Sequence, residues 1–190
     1  RGFNTFFSQI KFNFHKKNKT KQRDFIIFSI KIYKPIKNNI MSTYTQILYQ
    51  IVYGGKNSIS FLNQENEENL YAYMAGILRN KNCHSYIIGG HKDHVHIITS
   101  LHPAVALADF VKDLKTSSNF YMQERKKEFK NFTEWQVGYG AFTYDISHKQ
   151  VLVEYVKRQS IHHRTVSFKE ELIALLEEFG IDYDERYLLV

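Results

Sequence analysis

Apolar and polar residues change their period several times along this chain, and each change marks an element. Tyr44 to Tyr53, YTQILYQIVY, alternates aromatic and β-branched residues with polar ones and stops at Gly54-Gly55, which predicts a strand. The period then lengthens: Leu70, Tyr73, Met74, Ile77 and Leu78 form one stripe of a helix reaching about Asn80. Asn63 can cap that helix, and Glu65, Glu67 and Glu68 suit its first turn, where the helix dipole favours acids. His84 to Ile88 and His94 to Ser100 are two short strands joined through Gly89-Gly90-His91-Lys92-Asp93. Behind Pro103 a long helix runs from Ala104 to about Lys130, with Val105, Leu107, Ala108, Val111, Leu114 and Phe120 or Tyr121 on its apolar side. Its other side offers Lys112, Lys115, Thr116, Ser117 and Ser118. Trp135 to Tyr144, WQVGYGAFTY, reads as a final strand bent at its glycines. After Ser147, a plausible cap, a helix extends to about His162, and another starts near Ser167, whose spacing to Glu170 is that of a capping box, and closes at Gly180.

Strand, helix, strand, strand, helix, strand is the order of an α+β, ferredoxin-like sandwich: one antiparallel sheet with helices on one face. Two further helices are appended at the C-terminus.

Composition changes this picture only at the N-terminal end. With 43% hydrophobic and 15% aromatic residues, the 190-residue chain can bury a proper core. The formal charge of +7 suggests a nucleic-acid footprint until it is located. Residues 1–40 hold ten of the 26 Lys and Arg and only Asp24 among the 19 acids, so the other 150 residues carry a net −2. The same segment draws 28 of its 40 residues from Phe, Lys, Asn, Ile and Tyr, the products of A+T-rich codons, and the first methionine is Met41. We therefore expect residues 1–40 to be translated upstream DNA or a disordered basic leader, and residues 41–190 to be a single working domain starting at Met41. A basic arm that binds DNA is the functional alternative. The longest apolar run there, Phe25 to Phe28, is too short for a signal-peptide core. One cysteine, Cys83, excludes an intramolecular disulfide, makes a cysteine zinc site improbable, and fits a reducing, cytoplasmic setting. No stretch has the roughly 20 apolar residues that a membrane span needs.

The chemistry concentrates in two places. On a strand, His94 and His96 share one face about 7 Å apart, and on a helix, Tyr155 and Gln159 share one face about 6 Å apart. Two imidazoles and an amide oxygen suit a divalent ion with positions open for phosphate oxygens, and a phenol beside it is a nucleophile for phosphorus. Alone, His-x-His is a weak signal, since histidines on a sheet are more often structural. His91 and Asp93 in the adjoining turn could orient the imidazoles, whereas His162 and His163 read as cations favouring a helix C-terminus. Imidazole and amide suit Mn²⁺ better than Mg²⁺. Lys112, Lys115, Lys157 and Arg158 are candidate phosphate contacts, with simple solvation as their plain alternative. No Walker loop or G-x-G-x-x-G is present, so no nucleotide cofactor is indicated.

Three stretches, GGHKDHVHIITSLHP at residues 89–103, WQVGYGAFTYDIS at 135–147 and EYVKRQSIHH at 154–163, together resemble the HUH transposases with a single catalytic tyrosine. These are encoded by bacterial insertion sequences of the 200/605 type and include REP-associated relatives. The resemblance runs from about Met41 onward. It implies that His94 and His96 are paired metal ligands, Gln159 the third ligand and Tyr155 the nucleophile, on a ferredoxin-like domain dependent on Mg²⁺ or Mn²⁺. It also implies cleavage of single-stranded DNA near hairpin ends, a 5′-phosphotyrosine intermediate and a free 3′-OH. In the insertion-sequence branch the tyrosine helix serves a partner's histidine pair, while REP-associated relatives can act as monomers; the short C-terminal extension favours the former and a homodimer. Two rival functions stay open: a domesticated, non-catalytic hairpin-binding protein, and a histidine-metal phosphoesterase that uses water.

Overall fold

The computed structural model describes residues 44–189, so the expectations for residues 1–40 and for a start at Met41 lie outside the described residues. Four strands, β1 (Leu48–Gly54), β2 (His84–His91), β3 (His94–Ser100) and β4 (Gly140–Tyr144), form one antiparallel sheet in the order β2-β3-β1-β4. Helix α1 (Glu67–Asn80) connects β1 to β2 and α2 (Leu107–Glu124) connects β3 to β4, which is the ferredoxin-like arrangement.

Strand alternation divides the sheet into two working faces. Ile51, Tyr53, Val95 and Ile97 join Leu70, Met74 and Leu78 of α1 and Phe110, Val111 and Leu114 of α2 in the main core. Each of these side chains is almost fully buried, and removing such burial costs roughly 25 cal/mol per Å². The register sets Val52 opposite His96 and Gly54 opposite His94, so the histidines lie on the face that α1 and α2 do not cover. Three C-terminal helices close that second face: α3 (Lys149–Lys157), α4 (Gln159–His162) and α5 (Phe168–Glu178). From α5, Phe168, Leu172, Leu175 and Leu176 pack on Val52 and Phe142.

Boundaries differ from the sequence reading where neighbours, rather than local pattern, decide. β1 starts at Leu48 instead of Tyr44 because β3 and β4 offer ladder partners only from there on. β4 starts at Gly140 instead of Trp135; Trp135 makes a lone bridge to Gly55, and its indole N–H donates to Ser118 Oγ at 3.0 Å. Ser118 is consequently buried rather than on the polar side of α2. α2 ends at Glu124, after which turns bury Phe129 and Phe132. Asp145, not Ser147, caps the 3-10 turn Ile146–His148 that leads into α3, accepting from Ser147 N–H at 2.8 Å. The expected single helix to His162 breaks at Arg158 (φ −97°, ψ 9°), where Gln159 turns inward. The Ser167–Glu170 capping box is present, and Gly180 (φ +63°) closes α5. Among the described residues no helix is long and apolar enough to cross a membrane.

Candidate active site

Two glycines let the C-terminal helices come down onto the histidine face. Gly89 is paired with His96 across the β2–β3 ladder, and a Cβ at Gly89 would stand 2.7 Å from Val156 Cγ1 of α3. A Cβ at Gly54 would meet the Phe168 ring at the same distance, and Phe168 lies flat on His94, 4.3 Å between centroids at 2°. Only backbone without a side chain permits these approaches.

The helices thereby deliver Tyr155 and Gln159 to the histidine pair of the same chain. His94 Nε2 lies 3.2 Å from Gln159 Oε1, and the Tyr155 ring stands edge-on to His96 with centroids 5.8 Å apart. His94 and His96 are fully buried, and Gln159 and Tyr155 nearly so. Asp93 Oδ1 sits 2.7 Å from His94 Nδ1 and orients that ring. His91 is the ladder partner of His94, and its ring stacks on His163, centroids 5.3 Å apart. Lys157 and Arg158 are exposed at the end of α3, Lys157 paired with Glu154 at 3.0 Å. Lys112 and Lys115 belong to α2, across the sheet from the histidines. The Lys115 ammonium donates to the carbonyls of Gln136, Val137 (3.1 Å) and Gly138 (3.0 Å), tying down the segment before β4.

Sequence reasoning missed the group at the centre, Glu171 of α5. Its Oε1 accepts from the Tyr155 hydroxyl and from Gln159 Nε2 at 2.9 Å. Its Oε2 lies 3.1 Å from His163 Nε2, 3.3 Å from His96 Nε2 and 3.6 Å from His94 Nε2. The clue was present in the sequence: Phe168, Glu171, Leu172 and Leu175 fall at positions i, i+3, i+4 and i+7, so an acid sits on the apolar stripe of its helix. His163 was passed over for the same kind of reason, because a histidine in a last turn has an ordinary explanation.

Burial would raise the Glu171 carboxyl, but the imidazoles of His96 and His163 outweigh it and hold the group well below the usual carboxylate range. Burial lowers His94 below the ordinary histidine value. For His163 burial is overcome by the hydrogen bond and charge of Glu171, which raise it. Burial and then the charge of Glu171 push the Tyr155 phenol far above its usual range, so it rests neutral.

The donor set fits a cation. His94 Nδ1 faces a carboxylate, so its proton belongs there and its Nε2 presents a lone pair. Gln159 gives its amide N–H to Glu171, which leaves Oε1 facing His94. Lone pairs of His94 and Gln159 therefore meet, in a buried place, with no proton between them. On the far side of His96, Nδ1 lies 3.2 Å from Gln50 Nε2, and Gln50 Oε1 accepts from Tyr144 at 2.9 Å. Turning over that amide, whose ends are assigned from such networks, would let Oε1 accept from Nδ1 and free Nε2 as a ligand.

A buried histidine pair on β3, faced by a tyrosine and an amide four residues apart, defines a site suited to metal-assisted phosphoryl transfer. Residues 43–159 match the family model described as "Transposase IS200 like", and the chain belongs to that family: it is a transposase-type, DNA-processing protein. Among solved structures, a candidate transposase from Deinococcus radiodurans is similar with a TM-score of 0.51 at 21% identity, over 65% of this chain and 98% of that one. A REP-associated tyrosine transposase solved with a REP hairpin aligns with a TM-score of 0.49 at 16% identity, over 66% of this chain and 76% of that one. At 21% identity the likeness to the first is one of fold. No curated protein matches the sequence.

Proposed function

We propose that the protein cleaves and rejoins single-stranded DNA at the hairpin-bearing ends of an insertion sequence, with Tyr155 as nucleophile and a divalent ion, Mg²⁺ or Mn²⁺, held by His94, His96 and Gln159. The observation that carries this reading is that Tyr155 and Gln159 meet the histidine pair of their own chain. When bound, the ion would polarise the scissile phosphodiester. Tyr155 Oη attacks phosphorus, and its proton passes to the nearest acceptor, Glu171 Oε1, already its hydrogen-bond partner. The bond from phosphorus to the 3′ oxygen breaks, and that oxygen takes a proton from water, leaving a free 3′-OH and a 5′-phosphotyrosine. That ester keeps the energy of the broken linkage, so a later 3′-OH attack on it rejoins strands without a nucleotide cofactor.

Asp93 fixes the His94 ring as a supporting residue. The protein would act as a homodimer that holds two DNA ends together, each Tyr155 working beside the histidine pair it meets within its own chain. Lys157 and Arg158, at the end of the tyrosine helix, are the proposed phosphate contacts; Lys112 and Lys115, across the sheet, would meet DNA well away from the cleavage point. The working domain is residues 41–190, and the reaction belongs in the cytoplasm, where the chromosome is.

Labelled single-stranded element ends with Mn²⁺ test the reading. It predicts cleavage together with a covalent adduct, both lost in Tyr155→Phe. A decayed hairpin-binding protein would bind without cutting, and a water-using phosphoesterase would cut as well after Tyr155→Phe as before.

A further inference from the structure

Glu171 and His163 lie beyond residue 159, where the family match ends, yet both point into the histidine cluster. Glu171 is 1% exposed, and three imidazole nitrogens surround its Oε2 at 3.1, 3.3 and 3.6 Å. Ligands about 2.1 Å from one ion are separated by about 3.0 Å in an octahedron and about 3.4 Å in a tetrahedron. The separations around Oε2, and the 3.2 Å from His94 Nε2 to Gln159 Oε1, are close to these lengths.

Proton placement supports this. His163 Nδ1 lies 2.6 Å from the carbonyl of Val166, which can only accept, so a proton belongs on Nδ1, and Nε2, which faces Glu171, is the nitrogen that would exchange its proton for an ion. The same holds for His94 through Asp93. Two imidazoles are thus oriented in the tautomer that a metal ligand requires, each by an acceptor behind it. His94, His163 and Glu171 together offer ligand atoms within 4.8 Å of one another.

We propose that Glu171 and His163 complete the metal centre begun by His94, His96 and Gln159. The completed site holds three imidazoles, an amide oxygen and a carboxylate, and it favours a transition ion such as Mn²⁺ over Mg²⁺. The inference rests on the metal-dependent reading above and adds ligands from the C-terminal helices to it. Its chemistry follows from the donors: Mg²⁺ takes oxygen and water and dehydrates reluctantly, whereas imidazole nitrogen suits later divalent ions. Five donors leave one position of six for a phosphate oxygen. Because Glu171 also receives the Tyr155 hydroxyl, a single carboxylate would link the ion to the nucleophile.

Chelator-treated, DNA-free protein titrated with Mn²⁺, with free aqueous ion counted by its paramagnetic resonance, tests this without reference to activity. The wild type is expected to take up one ion per chain, Mg²⁺ displacing it only in large excess. Glu171→Gln and His163→Ala should each weaken uptake at least about tenfold, and His96→Ala should abolish it. Cooperative melting without metal identifies variants that fold; His163→Ala leaves the Tyr155 contact intact should Glu171→Gln fail. Wild-type uptake by both folded variants, with His96→Ala still inactive in binding, overturns the added ligands and leaves the three-ligand reading standing. Displacement by equimolar Mg²⁺ overturns the selectivity. Wild-type uptake by His96→Ala, or none by the wild type, overturns both readings.

Discussion

Gly89→Ala is the perturbation that most specifically separates the tyrosine helix from the histidine strand. Gly89 faces α3 from the residue paired with His96, and the new Cβ would come to 2.7 Å from Val156 Cγ1. Carbon atoms sit comfortably at about 3.5–4.0 Å, so the two elements must part by about 1 Å. Val156 is next to Tyr155, is buried, and as a β-branched residue in a helix has one strongly preferred rotamer, so it offers little room to turn aside. Overpacking of this kind costs about 1–3 kcal/mol of stability. A displacement of about 1 Å at a reacting group costs about 100-fold in rate. Single-turnover adduct formation and thermal melting, measured on the same preparation, should show a folded protein with a rate down about that much. Val156→Ala removes the clashing methyl, so the double variant should recover most of the rate, a coupling that independent sites would not show. Wild-type cleavage by Gly89→Ala would refute the claim that α3 works against its own sheet, and would point to a tyrosine helix docked elsewhere.

Other expectations concern the lysines and the arginine. Lys115→Met removes the ammonium that serves three carbonyls of the 136–138 segment and should lower stability by about 1–2 kcal/mol; an unchanged melting temperature would show that water replaces it fully. Lys157→Ala and Arg158→Ala should weaken single-strand binding and flatten its salt dependence by up to about 0.7 log units for each phosphate no longer neutralised. An unchanged slope would remove either residue from the DNA surface.

The sandwich was legible because its two periodicities were clean: β3 alternates, and α1 carries one apolar stripe. The link from Tyr155 to Gln159 was legible because a helix brings residues four apart together, and the break at Arg158 still left both facing the pair. The break itself carried no signal, since neither Gly nor Pro stands there. It answers to Gln159's partners, His94 and Glu171, which are 65 and 12 residues away in sequence. Glu171 escaped notice because an acid four residues after Ser167 reads as ordinary complement to a helix dipole. Its place on the apolar stripe, rather than its distance from the cap, was the informative coordinate. That the C-terminal helices lie across the sheet from α1 and α2 followed from register, which pattern alone does not fix for appended elements.

If Tyr155 takes the DNA strand, tandem mass spectrometry of the protease-digested reaction product will find it. One modified peptide is expected, carrying the 5′ nucleotide through a phosphate ester on Tyr155. Cleaved DNA with no modified peptide, or the phosphate ester on any other of the thirteen tyrosines, would contradict it.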